Sequence, residues 1–150
     1  MVTTDKINSH FSASRWLWLF PPIYLLHIIE ERWGVGAPHG INLSLKAFVI
    51  LSGAAWVLMI VGVILAVRLG FPQFLAVCLG TLFFVNALSH IANCIFIAGY
   101  DAGVITGTLL FIPLGLITLI SLRKRLQPKR YFAAIAIGLV IQGIAMVLAY

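Results

Sequence analysis

Four stretches of the chain, Lys46 to Val67, Pro72 to Ala98, Ala102 to Leu122 and Tyr131 to Tyr150, are nearly unbroken apolar sequence. Each has about the 20 residues a helix needs to cross the hydrocarbon core of a bilayer. In that core every backbone N–H and C=O must find its partner within the protein, which a helix does by itself. Composition closes off the soluble alternatives. Hydrophobic residues make up 62% of the 150 and charged ones 9%, where a soluble domain carries about a quarter charged. The expectation is an all-α, polytopic transmembrane helical bundle, with residues 1–150 as a single domain and the lipid bilayer as its solvent.

A fifth stretch, Trp16 to Trp33, is apolar but irregular, because Pro21 and Pro22 lie inside it. A proline removes one intrahelical hydrogen bond and kinks or breaks a helix. Two readings stand, a kinked spanning helix or an interfacial segment followed by a shorter helix. The kinked helix is preferred, giving about five spans, with Trp16 and Trp18 at headgroup level. A cleaved signal peptide is not expected, since the apolar run carries two prolines, His27, Glu30 and Glu31.

The net charge of +6 is unevenly placed. Arg123, Lys124, Arg125, Lys129 and Arg130 fall in one short loop between two apolar runs, which marks a cytoplasmic side rather than a nucleic-acid surface. With the N-terminus cytoplasmic, that side also takes Lys6, Arg15 and Arg68, and only Arg32 and Lys46 face outward. The C-terminus is then outside. Cys78 and Cys94 share one apolar run, have no CxxC spacing, and read as small packing residues. No phosphate loop and no GxSxG elbow is present.

Ionisable residues inside a membrane are costly, so their positions point to function. His27 is followed at i+3 and i+4 by Glu30 and Glu31, which puts all three on one broad helix face with Tyr24. On the third helix Asn86, His90 and Asn93 follow at steps of four and three, a polar stripe, with Ser89 beside it. By rise along the helix, His27 and Glu31 lie roughly 4 and 10 Å outward of the helix midpoint, and His90 and Asn93 roughly 8 and 12 Å. The two sets can therefore meet in the outer half of the bundle, with Tyr100 and Asp101 at its rim.

Imidazole with carboxylate suits a divalent metal such as zinc, iron or manganese. Metal-free acid–base chemistry and a purely structural polar zipper are the alternatives. The metal set is His27, Glu31 and His90, the catalytic set Glu30, Glu31 and His90. Tyr24, Asn86, Asn93 and Asp101 are the supporting polar residues. Thr106 and Thr108 are expected to satisfy their own backbone, Pro113 to kink its helix, and Gln142 to hydrogen-bond between helices. His39 is expected in solvent, and Gly53, Gly62, Gly103 and Gly107 at close helix contacts.

The pentapeptide His27-Ile-Ile-Glu30-Glu31 resembles the signature of the HXXEE-motif family of small bacterial membrane proteins. The likeness extends to Asn86-Ala-Leu-Ser-His90 and to Gly99-Tyr-Asp-Ala-Gly103, and so covers roughly Trp16 to Leu122. It implies a polytopic protein of the bacterial inner (plasma) membrane with His27, Glu30 and Glu31 as signature residues, and no particular reaction. Two functions follow from the residues. One is an intramembrane enzyme acting on a lipid-soluble substrate, such as a lipid or isoprenoid. The other is a transport or accessory protein in which the cluster handles an ion or proton. The absence of a visible inverted repeat disfavours a stand-alone transporter.

Overall fold

The structure, a computed structural model, describes residues 12–34 and 43–149, all helix and turn. Helix α1 is Ala13–Leu17 and α2 is Phe20–Trp33. Helix α3 is Leu45–Arg68, α4 is Pro72–Phe96, α5 is Val104–Leu122 and α6 is Pro128–Leu148 as an apolar span. These last four are long and apolar enough to cross a membrane. His39 and Tyr150 lie outside the described residues.

The first segment breaks where the prolines require it. Pro21 and Pro22 cannot donate to the carbonyls of Leu17 and Trp18, so the chain tightens there. Trp18 N–H donates to Arg15 and Leu19 N–H to Trp16, before α2 begins with the prolines in its first turn. Such a start suits proline, whose missing N–H is an orphan in the first turn anyway. The result is a segment bent by 20°, nearer the kinked helix than a detached interfacial one. Its continuous part, α2, has 14 residues, too few to cross a membrane unaided.

Helix α4 is the hub. Nine of its residues are buried, including Ala76, Val77, Phe83, Ala87 and His90, and it packs most extensively on α5 and α6. Small residues allow the close approach. A Cβ at Gly115 would come 2.7 Å from the Gly80 carbonyl oxygen, and one at Gly138 would come 2.6 Å from that of Cys78. Glycines thus do permit close contact, at Gly80, Gly115 and Gly138 and, of those expected, at Gly103, while Gly107 makes ordinary contact with Ala87 at 3.4 Å. Gly53 faces open space and Gly62 makes only ordinary contact with Leu75 at 3.8 Å.

Pro113 leaves a mark on α5. Lacking an N–H, it cannot close the turn back to Leu109, and the preceding residues Gly107–Phe111 widen into a π turn. Ile112 N–H reaches five residues back to the Gly107 carbonyl. The wide turn carries Phe111 into the core, stacked on Phe83 at 3.9 Å between ring centroids. Phe20 meets Phe83 edge-on at 5.0 Å. Outside this core the surface of the bundle is apolar, with Leu58, Phe96 and Val147 among the most exposed side chains. That surface suits lipid rather than water.

Candidate functional site

Helix α4 ends in a turn that sends the chain back over the helix. Ala98 takes a left-handed conformation at φ 48°, and Gly99 N–H closes onto the Cys94 carbonyl at 3.1 Å. Asp101 therefore returns to His90, and its Oδ2 accepts from His90 Nδ1 at 2.7 Å. Asp101 is buried. Its backbone N–H donates to Cys94 Sγ at 3.3 Å, and Asn93 Nδ2 donates to its Oδ2 at 3.4 Å. A carboxylate accepts only, so Nδ1 of His90 carries the hydrogen and the lone pair is left on Nε2.

His27 is fixed the same way by a different partner. Its Nδ1 lies 2.8 Å from Thr106 Oγ1. Thr106 has one hydroxyl hydrogen, and that hydrogen goes to Glu30 Oε2 at 2.5 Å. Thr106 must then accept from His27 Nδ1–H, and the lone pair of His27 again sits on Nε2. His27 Nε2 is buried and has no hydrogen-bond partner among the described residues. Both imidazoles are thus set in one tautomer, each by an outer partner.

Gly103 closes the site from above. It takes φ 104°, in the left-handed region that favours glycine. A Cβ there would come 2.7 Å from His90 Cε1 and 2.9 Å from His27 Cε1. The two rings meet edge to face at 5.0 Å. Below, His27 lies over the Phe111 ring at 4.2 Å, so the floor of the site is aromatic.

Glu31 completes the cluster. Donor atoms of His27, Glu31 and His90 all lie within 4.8 Å of one another. Ligands held at about 2.0–2.1 Å from one tetrahedral ion stand roughly 3.4 Å apart, so the widest pair would draw in by roughly 1.4 Å on binding. Glu31 makes no hydrogen bond among the described residues, and its side chain is the one free to close. The donor set fits a divalent ion. Two lone pairs and a carboxylate aimed at one point repel unless something positive lies between them.

Glu30 points elsewhere. Its two oxygens accept from Ile105 N–H at 3.0 Å, Thr106 N–H at 2.7 Å, Thr106 Oγ1 and the Tyr100 hydroxyl at 2.8 Å. It caps α5, whose first N–H groups have no partner within the helix. Tyr100 stays a donor, its hydroxyl pushed up to about 12 by burial and then by the Glu30 carboxylate. Sequence spacing places Glu30 and Glu31 together in the chemistry, whereas the structure gives Glu30 the anchoring of α5 and leaves Glu31 with the histidines. Tyr24, Asn86 and Ser89 line a cavity of about 490 Å³ that opens from the cluster between α3, α4 and α6, and Gln142 borders it too. Asn86 Oδ1 is the other buried polar atom without a partner among the described residues.

Thr106, Gly103 and Cys94 do more than sequence reading allows them. Thr106 does not merely serve its own backbone but links Glu30 to His27. The available signal is its place in the first turn of a helix, three residues after a glycine, where backbone donors attract an acid from elsewhere.

Apolar helices of membrane-crossing length, gathered around two oriented histidines and a glutamate, define a helical membrane bundle with an internal polar site. The chain belongs to the HXXEE family, whose sequence model, described as "Protein of unknown function with HXXEE motif", matches residues 18–118. That range holds the pentapeptide, the α4 stripe and the turn carrying Asp101 and Gly103. Comparison with curated proteins and with solved structures finds no match.

Proposed function

We propose that this protein is an intramembrane enzyme of the bacterial inner membrane that holds one divalent ion on His27, Glu31 and His90 and acts on a lipid-soluble substrate. The observation that carries the reading is the pair of contacts at the two Nδ1 atoms. Thr106 and Asp101 each hold Nδ1–H of one histidine, which leaves both Nε2 lone pairs for the cluster that Glu31 joins. Metal-ligating histidines are characteristically held by just such an outer acceptor. Three protein ligands and an open side is the pattern of catalytic rather than structural zinc, and two histidines with one carboxylate also suit iron. Bound there, the ion would supply Lewis acidity toward a polar group presented from the cavity. Glu31 is the residue placed to hold or release a proton at its free oxygen.

In this reading the bent segment of α1 and α2, on the order of 30 Å long over its 21 residues, is a fifth span. The basic loop between α5 and α6 then faces the cytoplasm and the histidine cluster lies in the outer half.

The test is metal content and thermal stability of wild type, Glu31→Gln and His90→Ala, purified in one detergent. About one zinc, iron or manganese per chain is expected in wild type and at most a tenth of that in either variant, with helix content unchanged. A metal-free wild type that gains no thermal stability from any of the three ions overturns the metal assignment.

A further inference from the structure

We infer that the substrate is a lipid with a single extended hydrocarbon chain, its polar end at the histidine cluster and its tail lying along α3 and α4. The inference rests on the reading of His27, Glu31 and His90 as the reactive site. Its ground is the shape and lining of the cavity. On α3 the lining runs from Phe48 to Gly62, and on α4 from Leu75 to His90. At the helical rise these rows are about 21 and 22 Å long, longer than the roughly 15 Å of one leaflet's hydrocarbon.

The lining is graded along that length. Near one end stand His27, Glu31, His90 and Asn86, and toward the other only Met59, Gly62, Leu75 and Leu79. A uniform apolar slot would suit bulk lipid or a neighbouring helix. One that starts at an unpartnered, buried imidazole nitrogen suits an amphiphile bound in a fixed direction. Volume sets the number of chains. At about 30 Å³ per heavy atom, the share of a water molecule, 490 Å³ holds on the order of 16 atoms. That is room inside the slot for one chain and its head.

A path for such a molecule exists in the plane of the membrane. Helix α3 buries only Phe48, Val63 and Ala66, and its contact with α6 is slight. The slot borders both helices, so a chain already in the bilayer can slide in sideways without passing through water.

The experiment uses the full chain in lipid nanodiscs with a palmitic-acid analogue carrying a photoactivatable diazirine near its methyl end. Labelled peptides are mapped by mass spectrometry. Labelling is expected at Met59, Leu75 and Leu79, competed by unlabelled palmitic acid but not by a two-chain phosphatidylglycerol. Gly62→Leu, which narrows the far end, should cut that labelling at least fivefold while metal content and thermal stability stay at the wild-type level. Label confined to lipid-facing Val57 and Val147, or competition by the two-chain lipid, overturns the inference. A crosslink between two copies at this face also overturns it. The two readings fail separately. Normal metal content without slot labelling sinks only the single-chain substrate, and competed slot labelling in a metal-free protein sinks only the metal.

Discussion

The carboxylate of Glu30 joins α2 to α5 by three hydrogen bonds and to Tyr100, in the turn before α5, by a fourth, whereas α3 is attached by three buried side chains and the Trp56 indole on the Pro21 carbonyl. The two regions border the same cavity. One is pinned by charge-assisted bonds, each stronger than a neutral pair. The other leans on apolar contact, which in lipid has no hydrophobic driving force behind it. The contrast teaches that the bundle fixes the position of the histidines while leaving the opposite wall able to yield. Rigid ligands beside a movable wall are what a site must have if its substrate arrives from the side.

The largest effect that would break this contrast is expected at Gly103. Gly103→Ala puts a methyl group against both histidine rings and forces φ 104° on an alanine. Backbone strain of this kind costs about 1–3 kcal/mol before any clash is counted. The thermal unfolding midpoint should fall and metal content should drop together, because the rings are pushed apart. Unchanged metal content would mean that the turn does not set the ring positions.

Next comes Glu30. Glu30→Ala strands two backbone N–H groups and two hydroxyls, at about 2–3 kcal/mol given their partial exposure. Released from the carboxylate, Thr106 can turn its hydroxyl hydrogen toward His27 Nδ1, and that histidine loses its fixed tautomer. Stability should fall more than for Glu31→Gln, with metal affinity weakened rather than abolished. Metal binding lost as completely as in His90→Ala would make Glu30 a ligand and refute its anchoring role.

The smallest effect sharpens the other side of the comparison. Gly53 on α3 has nothing within 4 Å of where its Cβ would stand. Gly53→Ala should leave metal content alone and change stability by no more than about 1 kcal/mol, in the stabilising direction, by helix propensity. A marked loss of stability would show that α3 is held more tightly than its three buried residues indicate.

Much of this arrangement was legible beforehand because its signals are local. Apolar length marked the four long helices, i, i+3, i+4 spacing put His27 and Glu31 on one face, and the helical rise put His27, Glu31 and His90 in the same outer half of the bundle. The roles within the cluster were not legible, since they depend on where a turn lands. Nothing in the spacing of Glu30 and Glu31 tells which carboxylate will meet the start of α5, because that depends on rotation about α2 and on the return of Tyr100–Gly103. Asp101 was legible as a rim residue but not as the partner of His90. The left-handed Ala98 that sends it back has no marker of its own in the sequence. Close glycine contacts were expected from residue type alone, and only the crossing points of α4 decide which glycines make them.

The π turn at Gly107–Phe111 also bears on how this helix can change over time. A turn that bonds five residues back holds one residue more than an α turn. Removing a single residue from 107–111 would leave a chain that can still form an unbroken helix. Everything beyond the deletion would keep its direction around the axis, because the wide turn takes up the extra residue instead of rotating the helix. Gly115 would still face Gly80, and Thr118 the Trp16 indole it meets at 2.6 Å. In a plain α-helix the same extra residue would swing the second half by about 100°, so the wide turn sets the phase between two halves of α5. The first half is tuned to the histidines and the second to the packing of α4, and neither register can drift without the other.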